Sequence, residues 1–410
     1  MDTFTIITAL ITISALISYI NLRFIKLPGA IGVMFVSILL SVFILVTGKA
    51  FPVAFNFIRD LTQSIDFTKT LLDIMLAFLL FASAFHFEYK KLKEQKRPVL
   101  VLSTIGVVGS TVIFGFLLDI TTTLLGIDLP LVYCFLFGAL ISPTDPVAVL
   151  SVLKKSRIPQ SLETIISGES LLNDGVGLIL FITIGEVAAQ EASFSFTHAL
   201  ELFAVEVFGG LALGTAVAFI TGYLTKKIEE FQTAILVSIS MVMAISVVGS
   251  LLHVSVPLAA VAAGLILGNT SIGAKENTEL QNYLHQFWEL IDELLNIILF
   301  VMIGLQIVVL PFIGNYWFIG MVSVLFVLIA RGVSIAVPAL ALRRSLKTTF
   351  STTAILVWAG LRGGISVALA LSLPDSPYKE LILSASYIIV IFSVIVQGLT
   401  LNKVVDRFID

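Results

Sequence analysis

Thirteen apolar runs of bilayer-spanning length constrain this chain more than any single residue does. A spanning helix needs about 20 apolar residues. Runs close to that length are Phe4–Ile20, Pro28–Thr47, Leu71–Phe87, Val99–Leu125, Pro130–Leu153, Ser161–Val187, Ala199–Thr225, Thr233–Leu252, Pro257–Asn269, Phe287–Leu310, Trp317–Leu342, Thr352–Leu373 and Leu381–Leu401. The run Pro257–Asn269 is short and reads as a tilted or partly buried span. Only 12% of the residues are charged, against about 25% in soluble domains. Lipid offers backbone groups no hydrogen bonds, so they must be satisfied within the span. The expectation is an all-α polytopic membrane protein, with 1–410 as one transmembrane domain. The first run has no basic residue before it and is followed by Arg23 and Lys26, so it reads as a true span rather than a signal peptide.

Charge placement sets the expected orientation. With the N-terminus outside, 18 of the 24 basic residues fall on the inner side and only Lys49, Arg59, Lys69 and Lys379 fall outside. The remaining two, Arg331 and Arg362, lie inside spans. This bias favours thirteen spans with an outer N-terminus and a cytoplasmic C-terminus. One cysteine, Cys134, excludes an internal disulfide or a cysteine metal cluster. The four histidines lack metalloenzyme spacing and read as loop or helix-end residues. No cofactor, enzymatic activity or nucleic-acid partner is expected.

Two spans are interrupted. Ser142-Pro143-Thr144-Asp145-Pro146 places two prolines in one span, which removes two amide donors. Gly360-Leu361-Arg362-Gly363-Gly364 breaks another. Each is the fifth member of a six-span set, spans one to six and eight to thirteen. Corresponding members are an odd number of spans apart, so the sets have opposite topology. The segments 1–187 and 229–410 therefore read as inverted repeats joined by a linking helix, 188–228. Paired discontinuous helices in such repeats point to a transporter site near the bilayer midplane.

Beside the first break lies Gly168-Glu169-Ser170-Leu171-Leu172-Asn173-Asp174-Gly175. A charge at the bilayer centre costs roughly 2.5–3.5 kcal/mol on insertion scales, so these acids need partners or an ion. Residues four apart share a helix face. Ser170 and Asp174 form one row, assigned to an ion with Asp145 and the freed carbonyl near Thr144. Oxygen donors of this kind suit a small hard cation, here Na+. Glu169 and Asn173 form the next row. Asp145, Glu169 and Asp174 against Arg331 and Arg362 leave one negative charge, which one monovalent cation or one proton neutralises. Competition of sodium and protons for this site gives one-for-one exchange. Asp145 and Arg362 are placed to offset the half-helix dipoles.

These three motifs resemble the sodium/proton antiporters of the NhaP branch, related to the animal sodium/proton exchangers, and the resemblance covers the whole membrane body. It implies a dimer of thirteen-helix protomers and electroneutral exchange of Na+, with Li+ also carried. It further implies that Asp174 carries ion and proton, that Thr144, Asp145 and Ser170 line the site, and that Glu169 pairs with Arg331. Asn173 marks the electroneutral branch. A multi-pass position in a bacterial-type inner membrane, surrounded by lipid, follows. The sequence lacks the long cytosolic tail of the animal members, so tail-based control is not carried over.

Potassium/proton exchange is the main rival, and a cation channel a weaker one. An intramembrane aspartyl protease is disfavoured because no GxGD pair is present. Asp292, Glu289 and Glu293 read as solvated span-end residues, with the Glu289–Glu293 group able to enrich cations at an inner funnel. Glu206 lies more than a turn deeper; solvation at the span end is the default reading there too, with an accessory site as the alternative. Trp288, Trp317 and Tyr316 read as interface-belt residues, and Gly209, Gly210 and Gly214 as close-packing positions.

Overall fold

The computed structural model describes residues 2–146, 149–150, 158–190, 196–225, 228, 230–270, 278–310, 314–341 and 349–409. Among them the secondary structure is helical throughout. Ten helices are long and apolar enough to cross a membrane. We number the helices used below in chain order. They are α1 (Thr3–Ile25), α2 (Gly29–Thr47), α3 (Pro52–Ser64), α4 (Phe67–Phe85), α5 (Lys96–Leu124), α6 (Leu131–Ile141), α7 (Gln160–Gln190), α8 (Phe196–Thr225), α9 (Phe231–Leu251) and α10 (Val256–Asn269). They continue with α11 (Thr278–Gln306), α12 (Gly314–Ala341), α13 (Phe350–Trp358), α14 (Gly364–Ser372) and α15 (Lys379–Phe408). Several basic residues counted on the inner side fall outside the described residues: Lys154, Lys155, Arg157, Lys226, Lys227, Lys275, Arg343, Arg344 and Lys347.

Helices form because each run satisfies its own backbone in an apolar medium. Packing between them relies on small residues. Gly264 and Gly268 of α10 face the backbone of Phe81 and Phe85 in α4, where any Cβ would collide. Gly210 and Gly214 of α8 meet the Ser255 and Ala259 carbonyls in the same way, which places α8 tightly on α10. Gly304 of α11 sits against Ser37 of α2, and Ser41 Oγ donates to the Gly304 carbonyl at 2.7 Å.

The buried apolar side chains form two clusters. One joins α1, α2, α3, α5, α6, α12, α13, α14 and α15. The other joins α8, α9 and α10. Helices α4, α7 and α11 belong to both, α11 through Leu299–Leu305 in the first cluster and Leu280, Leu284 and Trp288 in the second. The seam between the two clusters is where the polar interior lies.

One expectation changes, and two placements are new. The connecting segment after the second span contains the amphipathic helix α3, which opens on Pro52 and buries Ile58, Leu61 and Thr62. Trp288 is not in an interface belt: it is fully buried, lies 4.5 Å from the Phe81 ring centroid, and donates its indole N–H to Ser238 Oγ at 3.2 Å. His285 lies near the start of α11.

Candidate functional site

Both helix breaks meet at the seam. Helix α6 stops at Ile141 and the chain runs non-helically through Pro143, Thr144 and Asp145. Helix α13 stops at Trp358, and α14 resumes at Gly364. The Asp145 amide donates to the Leu361 carbonyl at 2.7 Å, so one unwound segment supplies the hydrogen bond the other lost.

Arg362 fastens the same junction. Its guanidinium donates to the Ser142 carbonyl and, at 2.9 Å, to that of Pro143. These carbonyls are at the C-terminal end of α6, where the helix dipole is negative. Its amide donates to Ser393 Oγ at 2.8 Å, Ser393 donates to Gln397 Oε1 at 2.7 Å, and Gln397 donates back to the Trp358 carbonyl. The side chain is 1% exposed. Gly363 lies so close to the Asp145 side chain that a Cβ would overlap its carboxylate.

Glu169 and Arg331 form a buried two-pronged ion pair, Nη1 to Oε1 at 2.8 Å and Nη2 to Oε2 at 3.2 Å. The Arg331 Nε donates to the Leu356 carbonyl in α13 at 3.2 Å. Three helices, α7, α12 and α13, are thereby tied together. Gly360 leaves the space this guanidinium fills.

The remaining predicted residues gather around Thr144. Its hydroxyl is 2.9 Å from Ser170 Oγ and accepts from Asn173 Nδ2 at 2.8 Å. Asn173 Oδ1 is buried and finds no hydrogen-bond partner among the described residues. Asn173 thus sides with Ser170 and Thr144, while Glu169 turns to Arg331. Thr144, Asp145 and Asp174 line a cavity of about 50 Å³ with Pro143, Pro146 and Gly363–Ser366. Ser170 touches the site through Thr144 and is not on the cavity wall. The volume holds a few water-sized particles, which suits a partly dehydrated small cation.

The sequence pattern described as "Sodium/hydrogen exchanger, transmembrane" matches residues 11–407. The chain belongs to the sodium/hydrogen exchanger family. It is 38% identical over 408 residues to the Na+/H+ antiporter NhaP of Pseudomonas aeruginosa, covering 98% of this chain and 96% of that one. It is 28% identical to the Na+/H+ antiporter NhaH of Halobacillus dabanensis, covering 99% and 98%. Its fold is similar to that of the sodium proton antiporter MjNhaP1 from Methanocaldococcus jannaschii, with a TM-score of 0.79, 18% identity, and 100% and 99% of the two chains covered. The family and its antiporter relatives are those the three motifs implied, and the protein is a multi-pass sodium/proton antiporter by family.

The exchanger's cavity holds residues that the sequence reading passed over. Asp292 and Asn296 of α11 and Ser83 of α4 also line it. Asp292 was expected as a solvated span-end acid, but helix α11 begins at Thr278, nine residues before the apolar run. Asp292 therefore lies deeper in its helix than hydropathy indicates. The available signal was the spacing of Asp292 and Asn296, one turn apart, where Asn296 Nδ2 donates to Asp292 Oδ1 at 3.1 Å and to its carbonyl at 2.8 Å. Glu206 is buried and its carbonyl accepts from the Ser255 amide.

Proposed function

We propose that this exchanger carries Na+, and also Li+, against H+ one for one, with cation and proton competing at Asp174. The observation that carries this reading is the thinness of the wall between two recesses. On one side is the cavity holding Asp174 and Asp145. On the other is an open basin of about 510 Å³ lined by Asp66, Lys69, Asp73, Leu371–Asp375 and Lys379. Helix α14 touches the cavity at Gly364–Ser366 and the basin at Leu371 and Ser372. Only Val367–Ala370 lie between, each with no exposure. At 1.5 Å per residue that is a seal of about 6 Å. A small shift of α14 and α4 relative to their neighbours would hand the same site from one side to the other.

In this reading Asp174 and Asp145 supply carboxylate oxygens, and Thr144 its freed carbonyl. Ser170 acts through its 2.9 Å contact with the Thr144 hydroxyl, and Asn173 holds Thr144 in place. Glu169 and Arg331 cancel each other as a structural pair. Asp145 and Asp174 against Arg362 leave one negative charge, which one Na+ or one H+ satisfies. The ten long helices, with α6, α10 and the interrupted α13–α14 pair, would make thirteen crossings in two inverted repeats, 1–187 and 229–410. The loop-charge bias supports an outer N-terminus and a cytoplasmic C-terminus in the inner membrane. The numerous exposed apolar residues of α8 and α9, such as Phe208, Phe219 and Leu236, leave room for a homodimer contact.

The test is pH-gradient-driven exchange in proteoliposomes with Na+, Li+ and K+ compared. Wild type should exchange Na+ and Li+. Asp174→Asn should be inactive while eluting as the same folded species. Exchange retained by Asp174→Asn would overturn the carrier assignment, and a preference for K+ would replace the substrate.

A further inference from the structure

We infer that Asp292 is a second cation station on the path to Asp174, a waiting position at the mouth of the cavity rather than a solvated surface acid. This rests on the exchange reading above. Four observations carry it.

First, Asp292 lines the same cavity as Asp145 and Asp174, although it comes from a different helix, α11. Second, its position along the cavity is ordered. Helix α11 contributes Leu299, Asn296 and Asp292 at one-turn steps, and α4 contributes Leu76, Leu79, Leu80 and Ser83 alongside. Leu299, Leu76 and Leu80 are buried, whereas Ser83 and Asp292 are partly exposed. Along α4 and α11 the cavity wall thus runs from a buried end to a partly exposed end at Ser83 and Asp292. Third, the carboxylate is held: Asn296, itself 5% exposed, donates to both the side chain and the carbonyl of Asp292. Only one of the two carboxylate oxygens, Oδ1, takes the Asn296 bond. Fourth, the mouth is pinned. His86, at the end of α4, lies with Nε2 3.0 Å from the His285 carbonyl in α11 and Nδ1 2.7 Å from the Ala82 carbonyl. That contact ties the end of α4 to α11 beside Ser83 and Asp292.

A fixed acid at the mouth of a low-dielectric cleft raises the local cation concentration. The cation would exchange part of its water shell for Asp292 and Ser83 oxygens, then move on to Asp145 and Asp174. Such a station works on the loading step and not on the seal in α14. It should therefore govern the rate at low Na+ more than the rate at saturation.

The experiment measures Na+-dependent exchange in proteoliposomes for wild type, Asp292→Asn, Asp292→Glu and Asn296→Ala, with Asp174→Asn as the inactive reference. Asp292→Asn keeps size and shape but removes the charge. We expect kcat/KM for Na+ to fall about 10-fold, mostly through KM, at the lower end of electrostatic focusing effects. Asp292→Glu should recover most of the loss, and Asn296→Ala, which keeps the acid but loosens it, should fall between. A fall in kcat with KM unchanged, or equal losses in Asn and Glu variants, would mean a structural role and would overturn the inference. An unaltered kcat/KM in Asp292→Asn would overturn it too. Should Asp292→Asn fail to fold, the Asn296→Ala and Asp292→Glu profiles decide by the same split. Activity in Asp174→Asn would defeat the exchange reading itself, whatever Asp292 does.

Discussion

Among single residues, the sharpest consequence concerns Glu169. Its carboxylate meets Arg331 through two bonds, with both groups almost fully buried. Removing one partner of a buried pair leaves an uncompensated charge, at a cost of about 3–5 kcal/mol. Glu169→Ala should therefore unfold at a clearly lower temperature than wild type, and lower than Asp174→Asn, because Asp174 faces a cavity and has no such partner to strand. Replacing both members, Glu169→Leu with Arg331→Met, should recover much of the lost stability. Thermal denaturation followed by fluorescence-detected size exclusion checks all four proteins. Equal midpoints for Glu169→Ala and Asp174→Asn would refute the structural role of the pair. The division of labour within Gly168–Gly175 was partly legible from helical spacing. It put Glu169 and Asp174 in different rows, while the pairing of Glu169 with Arg331 came from the family resemblance, and it could not place Asn173. A residue 100° around a helix can reach either neighbour, and only the position of Thr144 in the broken segment decides it.

For the helical elements, the two breaks behave as one unit. The Asp145 amide bonds to Leu361, and Arg362 bonds to Ser142 and Pro143. Gly363 is where they come closest, since a Cβ there would overlap the Asp145 carboxylate. Gly363→Ala should thus displace Asp145 from the site while leaving helices α13 and α14 intact. A misplacement of about 1 Å in a positioned group can cost on the order of 100-fold, so exchange should fall at least tenfold. Gly332→Ala is the matched control: nothing lies within 4 Å of its Cβ position, and an alanine in a helix is favoured by up to about 1 kcal/mol. Comparable exchange rates for the two variants would refute the close-contact argument. The breaks themselves were legible because Pro143, Pro146 and the Gly360–Gly364 run disrupt otherwise apolar spans. Their mutual contact was not, since hydropathy order carries no distances. Hydropathy also misjudged α3 and the start of α11. Both helices are amphipathic, so their polar faces dilute the apolar signal, and Asp292 and Trp288 were misplaced for that reason.

Across the whole molecule, the charge count has a consequence that no single residue carries. Glu169 and Arg331 cancel, and Asp145, Asp174 and Arg362 leave one negative charge at the site. If one Na+ or one H+ crosses with that charge, the loaded site is neutral in both directions and each full cycle moves no net charge. Moving one elementary charge across 100 mV is worth about 2.3 kcal/mol, which is roughly a 50-fold shift in equilibrium since 1.36 kcal/mol is a factor of ten. A two-proton cycle would therefore feel an imposed potassium–valinomycin potential strongly, whereas one-for-one exchange should reach the same final Na+ gradient with or without it. Asp292 bears on this test because it adds a third carboxylate to the cavity. If Asp292 only holds the cation in transit, it takes up and releases its charge on the same side of the seal, and the voltage independence survives. If it travelled with Asp174 as a second carrier, the cycle would move net charge and the final gradient would depend on the potential. Measuring that gradient at 0 and about −100 mV, in wild type and in Asp292→Asn, separates these cases. We expect no voltage dependence in either protein. A dependence present in wild type and lost in Asp292→Asn would make Asp292 a carrier.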